Sequence, residues 1–294
     1  MVASAGVYAV PLVMTLGAGG LIQWIAARER AAQFLGLALP LGFLLGWAVA
    51  VGPGWRAFDA FGRIGHIVFG AALLGFALDF WRPRHVFTIT LLAIFIAGSS
   101  WAEANNGLWP DGNLGVMVFA RCAVSIVLAG VLAWRIDRLR VLEIPKGNPA
   151  ANPTAAALIV LLMMAAALGA VAAAADEARL AATGAVLALA IAGYLPWAWH
   201  GERTLPLAAL CPIGAGLFAL IWAMVTTGPV LAPGIALAAL ILFADGTARR
   251  VPLPRARVSG LLYLLILGGI ALLPLLLAVA VTMGLVHGAP AHGV

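Results

Sequence analysis

The sequence predicts an all-α integral membrane protein with about ten transmembrane helices. Apolar residues make up 64% of the 294 positions, charged residues make up only 10%, and the mean hydropathy is +1.08. A chain of this composition cannot cover its apolar surface with polar groups in water, so its solvent must be lipid. Ten stretches of the sequence approach the roughly 20 apolar residues that a spanning helix needs.

The ten predicted spans follow one another with mostly short polar connections between them. In chain order they cover residues 6–26, 34–53, 64–81, 85–101, 113–134, 155–175, 181–199, 205–225, 229–245 and 258–287. The fourth and ninth spans are short. The tenth is long enough to tilt in the bilayer, and Pro274 is expected to kink it.

The basic residues of the connections give the orientation. Connections after odd-numbered spans carry thirteen basic residues, whereas those after even-numbered spans carry three. Because cytoplasmic loops are the basic ones, both termini are expected on the periplasmic side of a bacterial inner membrane. Arg28 and Arg30 follow the first span and no basic residue precedes it, which is the reverse of a signal peptide, so no cleavage is expected.

A basic connection at residues 135–154 divides the chain into two five-helix units, residues 1–134 and 155–294. Three short matches recur across this division at offsets of 148 to 151 residues. They pair GFL at 42–44 with GYL at 193–195, IGHIVF at 64–69 with IGAGLF at 213–218, and FIAGS at 95–99 with FADGT at 243–247. Since five is odd, a duplicated unit lies upside down relative to its copy, an architecture typical of secondary transporters. Chance matching is the alternative in a chain so rich in Gly, Ala, Leu and Phe.

Arg121 is the one basic residue deep within a predicted span. It follows the outer start of the fifth span by eight residues, which corresponds to about 12 Å of helix. A charge at such depth is costly and needs a partner. Arg121 is therefore expected to bind an anionic substrate or lipid headgroup, to brace the bundle through internal hydrogen bonds, or to pair with another subunit.

Five further polar residues are candidates for ligand binding. His66 lies near the outer end of the third span, where an ordinary interfacial histidine is the expectation and a protonation switch or a ligand contact is the alternative. Ser99 and Ser100 end the short fourth span, and Asp245 ends the short ninth span. Short, Gly-interrupted segments at matching positions indicate a transporter site. Glu103 belongs to the polar outer loop, which is expected to form a vestibule, a docking surface or a solvated turn.

Several function classes are excluded by the sequence. The net charge of +6 is spread over short loops without an aromatic-studded basic stripe, so no nucleic-acid partner is expected. Cys122 and Cys211 lie in apolar spans without partners at ligand spacing, so neither a metal nor a cofactor is expected. HExxH, nucleophile-elbow and Walker motifs are absent, and no acidic pair occurs in the spans, so an enzyme is less expected than a non-catalytic protein.

Two functions remain. A permease or exporter explains the ten spans, the inverted halves and the interrupted helices. Its ligand would be an anionic, amphipathic or lipidic small molecule, because the deep charge is positive and no acidic residue is expected at mid-depth. The alternative is a non-catalytic subunit of a larger membrane complex, in which partner membrane subunits would satisfy Arg121. The lipid bilayer is the expected partner in both cases.

Overall fold

A computed structural model describes residues 5–25, 34–52, 60–81, 89, 92–94, 96, 116–140, 152–200, 205–227, 229–251 and 259–287. Within these residues every regular element is a helix, which confirms the all-α prediction there. The α-helices are α1 (Ala5–Ile25), α2 (Ala38–Ala50), α3 (Ala60–Trp81), α4 (Val116–Arg140), α5 (Pro153–Ala174), α6 (Ala178–His200), α7 (Leu207–Thr227), α8 (Ala232–Ala239), α9 (Ala244–Ala248) and α10 (Ser259–His287).

Six of the described helices, α1, α3, α5, α6, α7 and α10, are long and apolar enough to cross a membrane. The chain is thus an all-helical, membrane-embedded protein. Helix α2 is shorter, with 13 residues. In the predicted fourth span, residues 92–94 are helical, as are residues 89 and 96, and the rest of that span lies outside the described residues.

Helix α4 continues beyond the end that the sequence predicted. The expected end at Trp134 is wrong, because the helix runs on to Arg140 and takes in the first part of the predicted connection. Leu132, Ile136 and Leu139 are buried in this stretch at helical spacing. Burial of this apolar stripe against the bundle keeps the chain helical despite its charges.

The predicted ninth span is an interrupted helix. A 3₁₀ turn at Pro229–Leu231 leads into α8, and a second 3₁₀ turn at Leu240–Phe243 separates α8 from α9. Gly234 of this segment packs against Val171 of α5 and Thr282 of α10. The segment therefore follows α10 from a point near that helix's C-terminal end.

Helix α7 forms the centre of the bundle and is buried along almost its whole length. Helix α3 packs along α7, α5 pairs with α6, and α1 packs on both α2 and α6. Helix α10 packs on α5 and α8 and leaves most of its surface exposed, as α1 does. Exposed leucines on α10 are what a lipid-facing helix requires.

Glycines allow the closest helix contacts. A Cβ on Gly184 of α6 would lie 2.6 Å from the Cα of Gly169 on α5, so the two backbones touch. Similarly, a Cβ on Gly75 of α3 would meet the carbonyl oxygen of Leu207 at the start of α7. Small residues at interfaces are the usual means of packing helices in lipid, where helix–helix contacts gain no hydrophobic drive.

Asn152 fixes the beginning of α5 to the end of α6. Its Oδ1 accepts hydrogen bonds from the backbone N–H groups of Thr154 and Ala155, at 2.9 and 3.4 Å. Its Nδ2 donates to the carbonyls of Ala198 and Trp199, at 2.9 and 3.1 Å. One amide side chain thus caps an N-terminus and a C-terminus, which both lack partners within their own helices.

Candidate functional site

A buried charge cluster joins α4 to the interrupted helix. Asp245, in the first turn of α9, is only 4% exposed. A carboxylate at such a position is stable only with strong partners, because the apolar interior cannot solvate it. The structure supplies these partners from α4 and from the end of α9 itself.

Arg135 of α4 is the first partner of Asp245. Its Nη2 forms an ion pair with Asp245 Oδ1, and its Nε donates to the carbonyl oxygen of Leu242 at 2.7 Å. Its guanidinium also lies 5.0 Å from the ring centroid of Phe243, within range of a cation–π interaction. The Leu242 carbonyl belongs to the second 3₁₀ turn, so Arg135 supports the backbone where the helix is interrupted.

Arg249 and Tyr263 complete the cluster. Arg249 Nη2 lies 3.3 Å from the second carboxylate oxygen, Asp245 Oδ2. Tyr263 of α10 is buried and lies close enough to Arg249 and Asp245 to feel the charge of both. Arg135, Asp245, Arg249 and Tyr263 are called the Asp245 cluster below. With two guanidinium groups and one carboxylate, its formal charge is +1.

The Asp245 cluster lies well inside the bundle. Ile136, next to Arg135, contacts α7 at Gly214, where a Cβ would lie 3.0 Å from its Cδ1. Gly214 follows Leu207, the start of α7, by seven residues, or about 10 Å of helix. The expectation that Arg135 belongs to a loop is therefore wrong, whereas Asp245 does lie at a helix end, in the first turn of α9. The side-chain packing of α4 carries Arg135 into the interior.

Asp79 makes a second polar contact between the two halves of the chain. Its Oδ1 accepts a hydrogen bond from the N–H of Leu207 at 2.8 Å, and its Oδ2 accepts one from Ala208 at 2.9 Å. A carboxylate at the C-terminal end of α3 thus caps the N-terminus of α7, where free N–H groups and the helix dipole favour negative charge. The contact also shows that α3 and α7 are antiparallel.

Of the candidate residues, only His66 and Asp245 have described side chains, and these two lie in different surroundings. His66 is exposed on α3, while Asp245 is buried in the cluster. The backbone of Arg121 belongs to α4, about 8 Å from the start of that helix, but its side chain lies outside the described residues. Ser99, Ser100 and Glu103 also lie outside them, so their roles stay predictions.

Sequence reasoning missed Arg135, which was counted only as a basic loop residue. The signal that could have found it is the apolar repeat at 132, 136 and 139, which continues α4 and carries Arg135 on or beside the buried face. The pairing with Asp245 spans 110 residues and leaves no local trace.

The Asp245 cluster has the chemistry of ion recognition. Guanidinium groups bind carboxylates and phosphates in fixed geometry, and the phenol of Tyr263 adds a hydroxyl. Among the residues that the structure describes, no three His, Cys, Asp or Glu side chains converge as metal ligands would. Comparison with protein-family models, curated proteins and solved structures found no match.

Proposed function

We propose that the protein is a ten-span transporter of the bacterial inner membrane that moves an anionic, amphipathic or lipidic small molecule. The observation that carries the proposal is the interrupted helix 229–248, which brings buried Asp245 to Arg135 of the other half. Interrupted helices with charged partners at the interface between two halves are the usual site of secondary transporters.

The ends at which the helices meet support the predicted number of membrane crossings. The C-terminal end of α3 contacts the N-terminal end of α7 through Asp79. Only three long helices, α4, α5 and α6, are described between them, and three crossings would bring the chain to the opposite side. A fourth crossing, at the partly described helix around residues 92–94, would bring the chain back to the same side, which supports a span there.

The contacts of the interrupted helix support a further crossing in the second half of the chain. Asp245 meets the C-terminal part of α4, and α5, α6 and α7 lie between them in the chain. These three crossings would leave the chain on the opposite side from the C-terminal part of α4. One more crossing, by residues 229–245, would bring Asp245 back to it. Gly234 contacts α10 at Thr282, while Arg249 lies near Tyr263, towards the other end of that helix. These contacts support five crossings in each half.

Inverted repeats are supported by how the matching motifs pack. A twofold axis between two antiparallel helices brings equivalent positions face to face. Val68 of IGHIVF approaches Gly216 of IGAGLF, where a Cβ would lie 3.4 Å from Val68 Cγ2, and these positions are equivalent to within one residue. Gly42 and Gly193, the paired glycines of GFL and GYL, both pack against Thr15 of α1.

The charge of the site favours an anionic ligand. Asp245 is held by two arginines, so its oxygens are engaged and the cluster carries a net positive charge. A metal cation or sodium ion would meet repulsion there. The basic connections support a cytoplasmic position for this end of the bundle and a periplasmic position for both termini.

A non-catalytic subunit of a membrane complex is the second candidate. It is favoured by the wide apolar surface of α10, which carries exposed leucines and where a Cβ added to Gly268 or Gly269 would meet nothing within 4 Å. Lipid covers such a surface equally well. Co-purification in mild detergent separates the two functions, because a stable partner chain supports the subunit and a solitary protein supports the transporter.

Transport is tested by comparing cells that produce the unchanged protein with cells that produce Asp245→Asn. Anionic metabolites in the medium and in the cells are measured by mass spectrometry. We expect a class of anions whose distribution changes with the unchanged protein and not with Asp245→Asn. Asp176→Asn is the matched control, because it makes the same chemical change at an exposed residue in the turn between α5 and α6. Identical profiles for all three proteins, at equal membrane levels, would contradict a transport function.

A further inference from the structure

We propose that Arg135 and Arg249 form an oxyanion-binding site that Asp245 occupies in this conformation, and that the carboxylate or phosphate group of the ligand competes with Asp245 for it. The proposal rests on the proposed function and deepens it. It names the part of the ligand that is recognised and the residues that recognise it.

The geometry around Asp245 is that of a bound carboxylate. One oxygen pairs with Arg135 and the other with Arg249, so the carboxylate bridges two guanidinium groups from different segments. Arg135 is further fixed by its bond to the Leu242 carbonyl and by the Phe243 ring. Arg135 is therefore held in place by contacts that do not depend on Asp245 alone.

Because Arg135 is buried, its guanidinium must have an anionic partner. Arg135 is only 9% exposed, and a buried guanidinium without its counter-ion is strongly destabilising. Arg135 can part from Asp245 only if another anion takes its place. Movement of the interrupted helix away from α4 would thus be linked to the arrival of an anionic group.

The site also has an entrance and a favourable field. The side chain of Arg249 is 36% exposed, whereas that of Asp245 is 5% exposed, so Arg249 lies at the surface of the cluster and Asp245 behind it. Arg250 is exposed next to it. Asp137, two residues from Arg135 on α4, is buried as well, and its spacing places it on a different side of that helix. An anion approaching Arg249 therefore meets positive charge first.

Anion rescue of a vacated site tests the proposal without any transport assay. The purified full-length Asp245→Ala protein in phosphatidylcholine nanodiscs is heated in sodium acetate, in sodium phosphate and, as a control, in sodium chloride of equal ionic strength. We expect Asp245→Ala to unfold several degrees below the unchanged protein. Acetate or phosphate should restore much of this loss with a millimolar dissociation constant, and chloride should not.

Two further arms identify the source of the anion and protect the test against misfolding. Nanodiscs of phosphatidylglycerol show whether a lipid headgroup fills the site, because stabilisation would then occur without added acetate. Asp245→Asn, which keeps the side-chain volume, replaces Asp245→Ala if the latter does not fold. Addition of Arg135→Gln should abolish every rescue.

The proposal is overturned if none of the anions stabilises the Asp245 variants more than chloride does. Rescue that persists in the Arg135→Gln double variant also overturns it, because the anion would then bind elsewhere. Anion rescue without any transported metabolite would keep the site and reject the transporter. The two failures are thus distinguishable.

Discussion

The contact between α5 and α6 makes a strong prediction for Gly184→Ala. The new Cβ would lie 2.6 Å from the Cα of Gly169, whereas ordinary contacts begin at 3.4 Å. Both contacting atoms belong to backbones, so no side chain can move aside and the helices must separate by about 0.8 Å, the difference between these distances. A gap of this size forfeits a quarter to a half of the dispersion energy of the affected atom pairs. We expect a loss of about 2–3 kcal/mol, as for other overpacked cores.

Thermal unfolding of the purified protein in detergent measures this loss. For a chain of this length, about 2–3 kcal/mol corresponds to a fall of roughly 5 °C in melting temperature. Gly268→Ala is the matched control, because it makes the same chemical change in a helix where a Cβ would meet nothing within 4 Å. Its expected effect is neutral or stabilising by up to about 1 kcal/mol, since alanine favours the helix.

Equal melting temperatures for the two alanine variants would refute the reasoning. They would mean that α5 and α6 do not approach each other at backbone distance. A fall for both variants would point instead to a general sensitivity of the protein to substitutions in its spans.

Three other predictions follow from the polar caps. Asp79→Ala should lower the free energy of unfolding by about 1–2 kcal/mol, because the first N–H groups of α7 lose their acceptor. Asp79→Asn should lower it less. Unchanged melting temperatures for these variants would exclude the cap. In a Cys122→Ser background, Asp79→Ala should also speed maleimide labelling of buried Cys211, one turn further along α7, and an unchanged rate would show that this end stays closed. Asn152→Ala should cost about 1 kcal/mol through the lost cap of α5, and a variant as stable as its parent would contradict the hydrogen bonds described.

Hydropathy predicted the positions of α5, α6 and α7 because a helix that crosses lipid must be apolar along its length, and this is visible in the composition of the segment. The predicted spans at 155–175, 181–199 and 205–225 agree with α5, α6 and α7 to within three residues at each end. Their apolar stretches end at polar connections, so both the length and the limits of each helix are visible in the sequence.

Helix ends set by packing could not be predicted in this way. Arg135, Asp137 and Arg138 made the end of α4 look like a loop, and only contacts with other segments keep these charges in a helix. The 3₁₀ turn at Leu240–Phe243 contains neither glycine nor proline, so its sequence carries no breaking signal. Its geometry depends on neighbours, among them Arg135.

Of the four residues of the Asp245 cluster, only Asp245 was selected from the sequence as a candidate. It was selected because it ends a short span, and the structure shows that it is buried. Its partners are 110 residues away in Arg135 and one turn away in Arg249, and a single sequence does not reveal the distant pair. The capping role of Asp79 escaped for the same reason, since its partners lie 128 and 129 residues further along the chain.

The number of crossings decides whether the two halves can be inverted and whether the Asp245 cluster faces the cytoplasm. Single cysteines at Arg84, Asn106 and Val294, introduced in a cysteine-free chain, are labelled in intact cells with a membrane-impermeant maleimide. The account predicts labelling at positions 106 and 294 and none at 84 until the membrane is opened. Labelling of 84 and 106 from the same side would remove the fourth crossing, and with it the ten-span topology and the inverted halves.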